Sequence, residues 1–204
     1  MIKILVVEDQ VVTRESLVHL INGEEDMHVV GSIGNAANAL KLCEDFGPNL
    51  VLMDVCTEEN ESGITAAAKI RQQYPEMKII IMTGMPEITY MNSSRKAGVD
   101  TFLYKNVRAE TLLATIRSTM DGYGTFPMET PSRVPGCPSF SEVEIAILRL
   151  VCEAKNRKTI AKELAMSEGS VKATITNILN KTGYDSIMKF AIFAVSKGYI
   201  NPNI

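Results

Sequence analysis

The sequence predicts an α/β unit built on a parallel sheet, followed by a small all-helical unit. Three observations carry this. Short apolar, β-rich runs alternate five times with helical patterns over residues 1–121. A proline-rich break follows, and the chain after it keeps only helical spacing. At 204 residues there is enough chain for two cores.

The strand candidates are Ile2–Val7, His28–Ile33, Leu50–Met53, Lys78–Met82 and Thr101–Leu103. Helix candidates lie between and after them at Val12–Asn22, Ala36–Phe46, Ile64–Tyr74, Glu87–Ala97 and Ala109–Asp121. Five βα units in succession imply a parallel sheet covered on both faces, with ligands at the carboxyl ends of its strands. From Tyr123 to Ser139 the chain reads YGTFPMETPSRVPGCPS, and Pro127, Pro131, Pro135 and Pro138 exclude a continuous helix. Four helix candidates follow at Ser141–Glu153, Arg157–Leu164, Ser167–Lys181 and Ser186–Ser196. The expected domains are therefore residues 1–122 and 139–204, joined by a linker at 123–138. Core positions in the helical part follow helical spacing: Val143, Ile147, Leu150, Val151 and Ala154, then Ile160, Ala161 and Leu164, then Val171, Ile175, Ile178 and Leu179. Ser167 is a good N-cap for the third of these helices.

Composition narrows the class. Hydrophobic residues are 46% and charged residues 22%, with no repeat, which fits a folded soluble protein and excludes disorder. No apolar run approaches the ~20 residues of a spanning helix, and MIKILVVEDQ turns acidic too early for a signal peptide, so a cytoplasmic location without membrane contact is expected. Cys43, Cys56, Cys137 and Cys152 form no CxxC pair and no metal spacing with histidine; Cys43 and Cys152 fall on apolar stripes and read as buried thiols. Residues 1–136 hold 12 basic and 18 acidic side chains, net −6, whereas residues 137–204 hold 9 and 6, net +3. A basic second half points toward a polyanion.

The chemistry-bearing residues converge at the strand ends. Glu8 and Asp9 end the first strand, Asp54 the third and Thr83 the fourth, and Lys105 follows the fifth. Three carboxylates so close raise one another's pKa values unless a cation joins them. Hard oxygen donors suit Mg²⁺, with Mn²⁺ as an alternative. Asp54 is then a nucleophile toward a phosphoryl group, while Thr83 and Lys105 supply a hydroxyl and a positive charge to its oxygens.

VVED at Val6–Asp9, VLMD at Val51–Asp54, MTG at Met82–Gly84 and LYK at Leu103–Lys105 resemble the markers of the receiver domain of two-component signalling, a flavodoxin-like (βα)5 fold. The resemblance implies a phosphoacceptor at Asp54, a switch at Thr83 and Phe102, and a Mg²⁺ site of Glu8, Asp9, Asp54 and the backbone carbonyl of Cys56. Two features depart from it. The loop VCTEENESG after Asp54 is one residue longer than usual and carries Glu58, Glu59 and Glu61 in place of a Met-Pro pair, and Asn106 replaces the proline that often follows the lysine.

In the helical half, Lys172, Ala173, Thr174, Thr176, Asn177, Asn180 and Lys181 share one face, small, hydrogen-bonding or basic. Composition alone leaves open a solvated face or a face seated in a major groove. Residues 140–191, with FSEVEIAIL, KTIAKELAMSEGSVKATITNILNKTG and YDSIMKFA, resemble the helix-turn-helix domain of LuxR-type regulators of the NarL/FixJ family. That resemblance implies that Lys172, Thr174 and Thr176 meet base edges or nearby phosphates, that Asn177 and Lys181 follow the backbone, and that Arg157 and Lys158 contact phosphates of double-stranded DNA. Val143, Ala154 and Thr174 replace an arginine, a glycine and a histidine usual there. Ile187, Phe190 and Ala194 are expected on an exposed dimer face of the last helix, or else within the unit's own core.

Together these readings imply a regulator that takes a phosphoryl group from a sensor histidine kinase, dimerises and binds promoters. It would be no enzyme beyond its own Mg²⁺-dependent phosphorylation and dephosphorylation. The rivals are a DNA-binding protein indifferent to phosphate and an aspartyl-intermediate phosphatase; the second lacks its Asp-x-Asp pattern, because position 56 is cysteine.

Overall fold

Strands buried on both faces need uninterrupted apolar residues, and the five runs supply them. In the computed structural model, which describes residues 1–84, 89–127 and 140–200, they form β1 (Ile2–Val7), β2 (Met27–Ile33), β3 (Leu50–Asp54), β4 (Lys78–Thr83) and β5 (Thr101–Tyr104). All pairings are parallel and the order is β2-β1-β3-β4-β5. Every residue of β3 is buried, as is every residue of β4 except Lys78. The order reverses between β1 and β3, which opens a crevice at their carboxyl ends.

The covering helices are α1 (Val11–Asn22), α2 (Ala39–Phe46), α3 (Gly63–Gln73), α4 (Tyr90–Lys96) and α5 (Ala109–Met120). The expected helix at Ala36–Phe46 divides, because Asn35 caps a 3₁₀ turn at Ala36–Asn38 by accepting from the Ala37 N–H at 2.8 Å before α2 begins. The first two positions of the helix expected at Glu87–Ala97 lie outside the described residues, as does the linker from 128 onward with Cys137. One face of the sheet packs Ile4, Val6, Leu50, Leu52 and Ile80 against Leu112, Leu113 and Ile116 of α5. Cys43 is buried and Cys152 half-buried, and burial pushes both thiols up to about 11, which suits inert packing groups. Among the described residues no helix is long and apolar enough to cross a membrane.

The chain divides into two compact units, and among the described residues of the second every element is a helix. It contains α6 (Glu142–Cys152), α7 (Arg157–Glu163), α8 (Glu168–Thr182) and α9 (Ile187–Ser196). Three polar side chains start three of these helices: Ser141 in a capping box with Glu144, Asn156 on the Thr159 N–H and Ser167 on the Ser170 N–H. Ala154 and Ala165 take left-handed backbone, φ 59° and 51°, where a glycine would be unstrained. Ile147, Leu148, Val151, Ile160, Val171, Ile178 and Phe190 fill the core.

One expectation is corrected and one alternative is decided. Val143 is 47% exposed and Ala154 lies past the end of α6, so the core stripe of that helix runs through Ile147, Leu148 and Val151. Of the two readings of the last helix, packing within the unit's own core holds for Phe190 and Ala194, which are fully buried: the Phe190 ring packs against Tyr184 at 5.3 Å and Phe140 at 5.9 Å. Ile187 is half-buried against the same core, and the exposed apolar residues of α9 are Met188, Ile192 and Val195.

Candidate functional site

The ends of β1 and β3 carry carboxylates into the crevice where the strand order reverses. Glu8 is 2% and Asp54 6% exposed, and oxygens of Glu8, Asp9 and Asp54 lie within 4.8 Å of one another. Lys105, immediately after β5, reaches back into this cluster. Its Nζ donates to Asp54 Oδ2 at 2.7 Å and to Glu8 Oε1 at 2.8 Å. The backbone beyond it is anchored, since the Lys105 N–H donates to the Thr83 carbonyl at 2.9 Å. Thr83, at the end of β4, is buried. The sheet therefore brings together Glu8, Asp9, Asp54, Thr83 and Lys105.

Burial pushes the Asp54 carboxyl up to about 6; Lys105 pulls it down and Glu8 pushes it up further. For Lys105 burial disfavours the charge, but Asp54 and Glu8 outweigh it and hold the ammonium above the ordinary lysine range. Glu8 and Asp54 share the Lys105 ammonium and Asp9 stands within 4.8 Å of both, so acidic oxygens crowd a poorly solvated crevice. A divalent cation fits such a donor set, in which every ligand is a hard oxygen.

Phe102 sits in β5 as a 1% exposed ring between Tyr104, edge-on at 5.5 Å, and Phe126 at 6.4 Å. Asn106 follows Lys105 through a trans bond, and among the described residues no peptide bond is cis. The acidic loop is internally bonded. Thr57 is buried, donates to the Glu61 carbonyl at 2.8 Å and accepts from the Ala36 N–H at 3.1 Å, while Glu59 turns through φ 60° toward Asn35.

In the helical unit, α8 exposes Lys172, Ala173, Thr176, Asn177 and Asn180, with Thr174 half-buried. The hydroxyls of Thr174 and Thr176 donate to the carbonyls of Ser170 and Lys172 in their own helix. Arg157 and Lys158 are exposed at the start of α7. Lys181 differs from expectation: its Nζ turns inward to Glu144 Oε2 at 2.6 Å and stands 5.8 Å from the Phe140 ring.

Residues 4–117 match the response regulator receiver domain, and residues 138–194 match the bacterial regulatory proteins of the luxR family. The chain belongs to the LuxR-type response regulators. Its relatives include the oxygen regulatory protein NreC of Staphylococcus aureus, 28% identical over 96% of this chain and 97% of that one. A DNA-binding response regulator of the LuxR family from the same organism is 28% identical over 59% of this chain and 99% of its own, with a TM-score of 0.56. RcsB of Salmonella enterica serovar Typhimurium, solved bound to promoter rprA in the presence of phosphomimetic BeF₃⁻, shares the fold at 18% identity and a TM-score of 0.66, covering 95% of this chain and 97% of that one.

Several residues that shape this response regulator's site escape sequence reasoning. Arg14 of α1 donates to the Glu8 carbonyl at 2.6 Å and so braces the acidic turn. The Val55 N–H donates to Asp54 Oδ1 at 2.6 Å, which fixes the carboxylate plane. Gly63 opens α3 hard against the Asp54 carbonyl. Tyr90, 1% exposed, places its hydroxyl 3.4 Å from Cys56 Sγ. Arg14 had one usable signal, its position on the first turn of a helix that follows the acidic pair; the Val55 bond is local to Asp54, and the contacts of Gly63 and Tyr90 depend on how their helices seat on the sheet.

Proposed function

We propose that Asp54 accepts a phosphoryl group from a sensor histidine kinase and that this controls dimerisation and promoter binding in the cytoplasm. The observation that carries the reading is Asp54 itself, a carboxylate 6% exposed at the carboxyl end of β3 with the Lys105 ammonium 2.7 Å away. An ordinary strand-end aspartate caps a turn in solvent, whereas this one is buried beside a charge partner.

In the step, a carboxylate oxygen of Asp54 bonds to phosphorus, the phosphorus–nitrogen bond of a phosphohistidine breaks, and the leaving imidazole takes up a proton. Glu8, Asp9, Asp54 and the Cys56 carbonyl would hold Mg²⁺ or Mn²⁺, which supplies positive charge against the phosphoryl oxygens. Lys105 contributes a second charge and Thr83 a hydroxyl, and both are held by the sheet before any ligand arrives. Phe102 responds through β5.

The output falls to α8. Lys172, Thr174, Thr176 and Asn177 would meet bases or nearby phosphates, with Arg157 and Lys158 on the backbone; RcsB, a chain of the same fold, was solved bound to a promoter. Lys181 is spent on Glu144 and contributes less. Two-fold pairing uses the exposed face of Met188, Ile192 and Val195 in place of Phe190 and Ala194.

Labelled phosphohistidine kinase, or acetyl phosphate, with Mg²⁺ should label the wild type at one site and leave Asp54→Ala unlabelled. Equal labelling of both proteins sinks the assignment.

A further inference from the structure

β5 is the last strand of the sheet, and its outer edge would otherwise present unpaired backbone groups. Residues 123–127, the first part of the expected linker, lie along that edge. The Phe102 N–H donates to the Thr125 carbonyl at 2.9 Å, and the Thr125 N–H donates to Thr101 Oγ1 at 3.1 Å. Thr101 Oγ1 is itself hydrogen-bonded to Thr119 Oγ1 of α5 at 2.8 Å. Gly124 passes so close that a Cβ there would stand 2.3 Å from the Asp100 carbonyl. The Phe126 ring then lies nearly parallel to Phe102, at 6.4 Å and 17°, with the Arg95 guanidinium of α4 over it at 4.2 Å.

These contacts join the segment to the phosphoacceptor site through one strand. Phe102 is 1% exposed and roofed by Phe126; three residues on, Lys105 bonds to Asp54. A phosphoryl group on Asp54 would take up Lys105 in place of that carboxylate and so change the pull on the strand end three residues from Phe102. Any shift of Phe102 is felt at Phe126, whose ring is stacked on it.

We propose that residues 123–127 are a strap, docked on β5 through Phe126 while Asp54 is unmodified and released when Asp54 is phosphorylated, which frees more of the connection to the helical unit. The strap rests on the Asp54 assignment above. Coupling of this kind is reciprocal: if occupancy at Asp54 loosens the strap, a loosened strap must tighten binding at Asp54 by the same factor.

The test is amide exchange by NMR on the full chain, with and without Mg²⁺ and beryllofluoride. Val55, whose N–H bonds Asp54 Oδ1, reports occupancy, and Phe102, whose N–H bonds Thr125, reports the strap. Beryllofluoride should shift Val55 and speed exchange at Phe102 by about ten-fold. Phe126→Ala should speed Phe102 exchange without ligand and tighten beryllofluoride binding, read at Val55, by roughly five-fold or more, the lower end of ordinary coupling. Arg95→Ala, which leaves the core untouched, should move both readouts in the same direction by less. A Val55 response with Phe102 exchange unchanged, or Phe126→Ala binding beryllofluoride no tighter than wild type, overturns the strap alone. A silent Val55 overturns the Asp54 assignment and the strap with it.

Discussion

Gly63 shows how much a single residue can matter to the site without touching any ligand. A Cβ built there would stand 1.8 Å from the Asp54 carbonyl and 2.8 Å from Met53 Cγ, both on β3. Its N–H also donates to the Val55 carbonyl at 2.8 Å, so α3 starts stitched to the end of the strand that carries Asp54. Backbone cannot yield as a side-chain tip can. Gly63→Ala should therefore destabilise the protein by roughly 1–3 kcal/mol, as overpacking does, and slow the labelling of Asp54. Urea denaturation and a phosphorylation time course check this; an unchanged midpoint and rate would refute it. Asp54, Glu8, Asp9, Thr83 and Lys105 were legible in the sequence because each is a polar residue at the end of an apolar run. Gly63 and Arg14 were not, because what each touches, the Asp54 carbonyl and the Glu8 carbonyl, is set by how a helix seats on the sheet.

Between elements, the pair of Glu144 on α6 and Lys181 on α8 ties a helix start to the helix proposed to read DNA. Glu144 also accepts from the Ser141 N–H at 2.7 Å, so one carboxylate serves the capping box and the ion pair together. Burial pushes this carboxyl up, but Lys181 and Ser141 outweigh it and hold it below the ordinary glutamate range. A depressed folded pKa gives stability that is present above the unfolded value, about 4.3, and is lost as the pH falls through the folded value. Acid unfolding of Glu144→Gln should accordingly depend less on pH below about 4.3 than that of the wild type, as followed by circular dichroism. Lys181→Ala removes the cation from a buried carboxylate that keeps its bond from the Ser141 N–H and should cost about 1–3 kcal/mol, with little effect on DNA binding. A large loss of DNA affinity at unchanged stability would return Lys181 to the DNA backbone. The amphipathic spacing of α6 and α8 was readable in advance, yet the inward turn of Lys181 was not, since a lysine on a basic helix face looks the same in sequence whether it points to solvent or to a neighbouring helix.

For the whole molecule, opposite charge on the two halves separates their roles: net −6 over residues 1–136 and +3 over residues 137–204. Each phosphate neutralised by a cationic side chain adds about 0.9 to the salt slope of duplex binding. Lys172→Ala should lower that slope by about 1 on a random-sequence duplex, measured by fluorescence anisotropy across a salt series. Beryllofluoride with Mg²⁺ should roughly double the wild-type slope as two chains engage one duplex. A slope indifferent to beryllofluoride would favour DNA binding that ignores phosphate.

The sequence by itself determined the alternation of strands and helices, the break between two units and the polar residues gathered at the strand ends. Each of these is written locally, in periodicity, proline and the residue that ends an apolar run. Only the tertiary structure decided which of two neighbours a side chain serves. It buried Phe190 and Ala194 in a core that α6, α8 and α9 close together, turned Lys181 toward Glu144, and laid Phe126 over Phe102 along the free edge of β5. Those outcomes depend on partners far along the chain, and no local pattern encodes the direction from which a distant partner arrives.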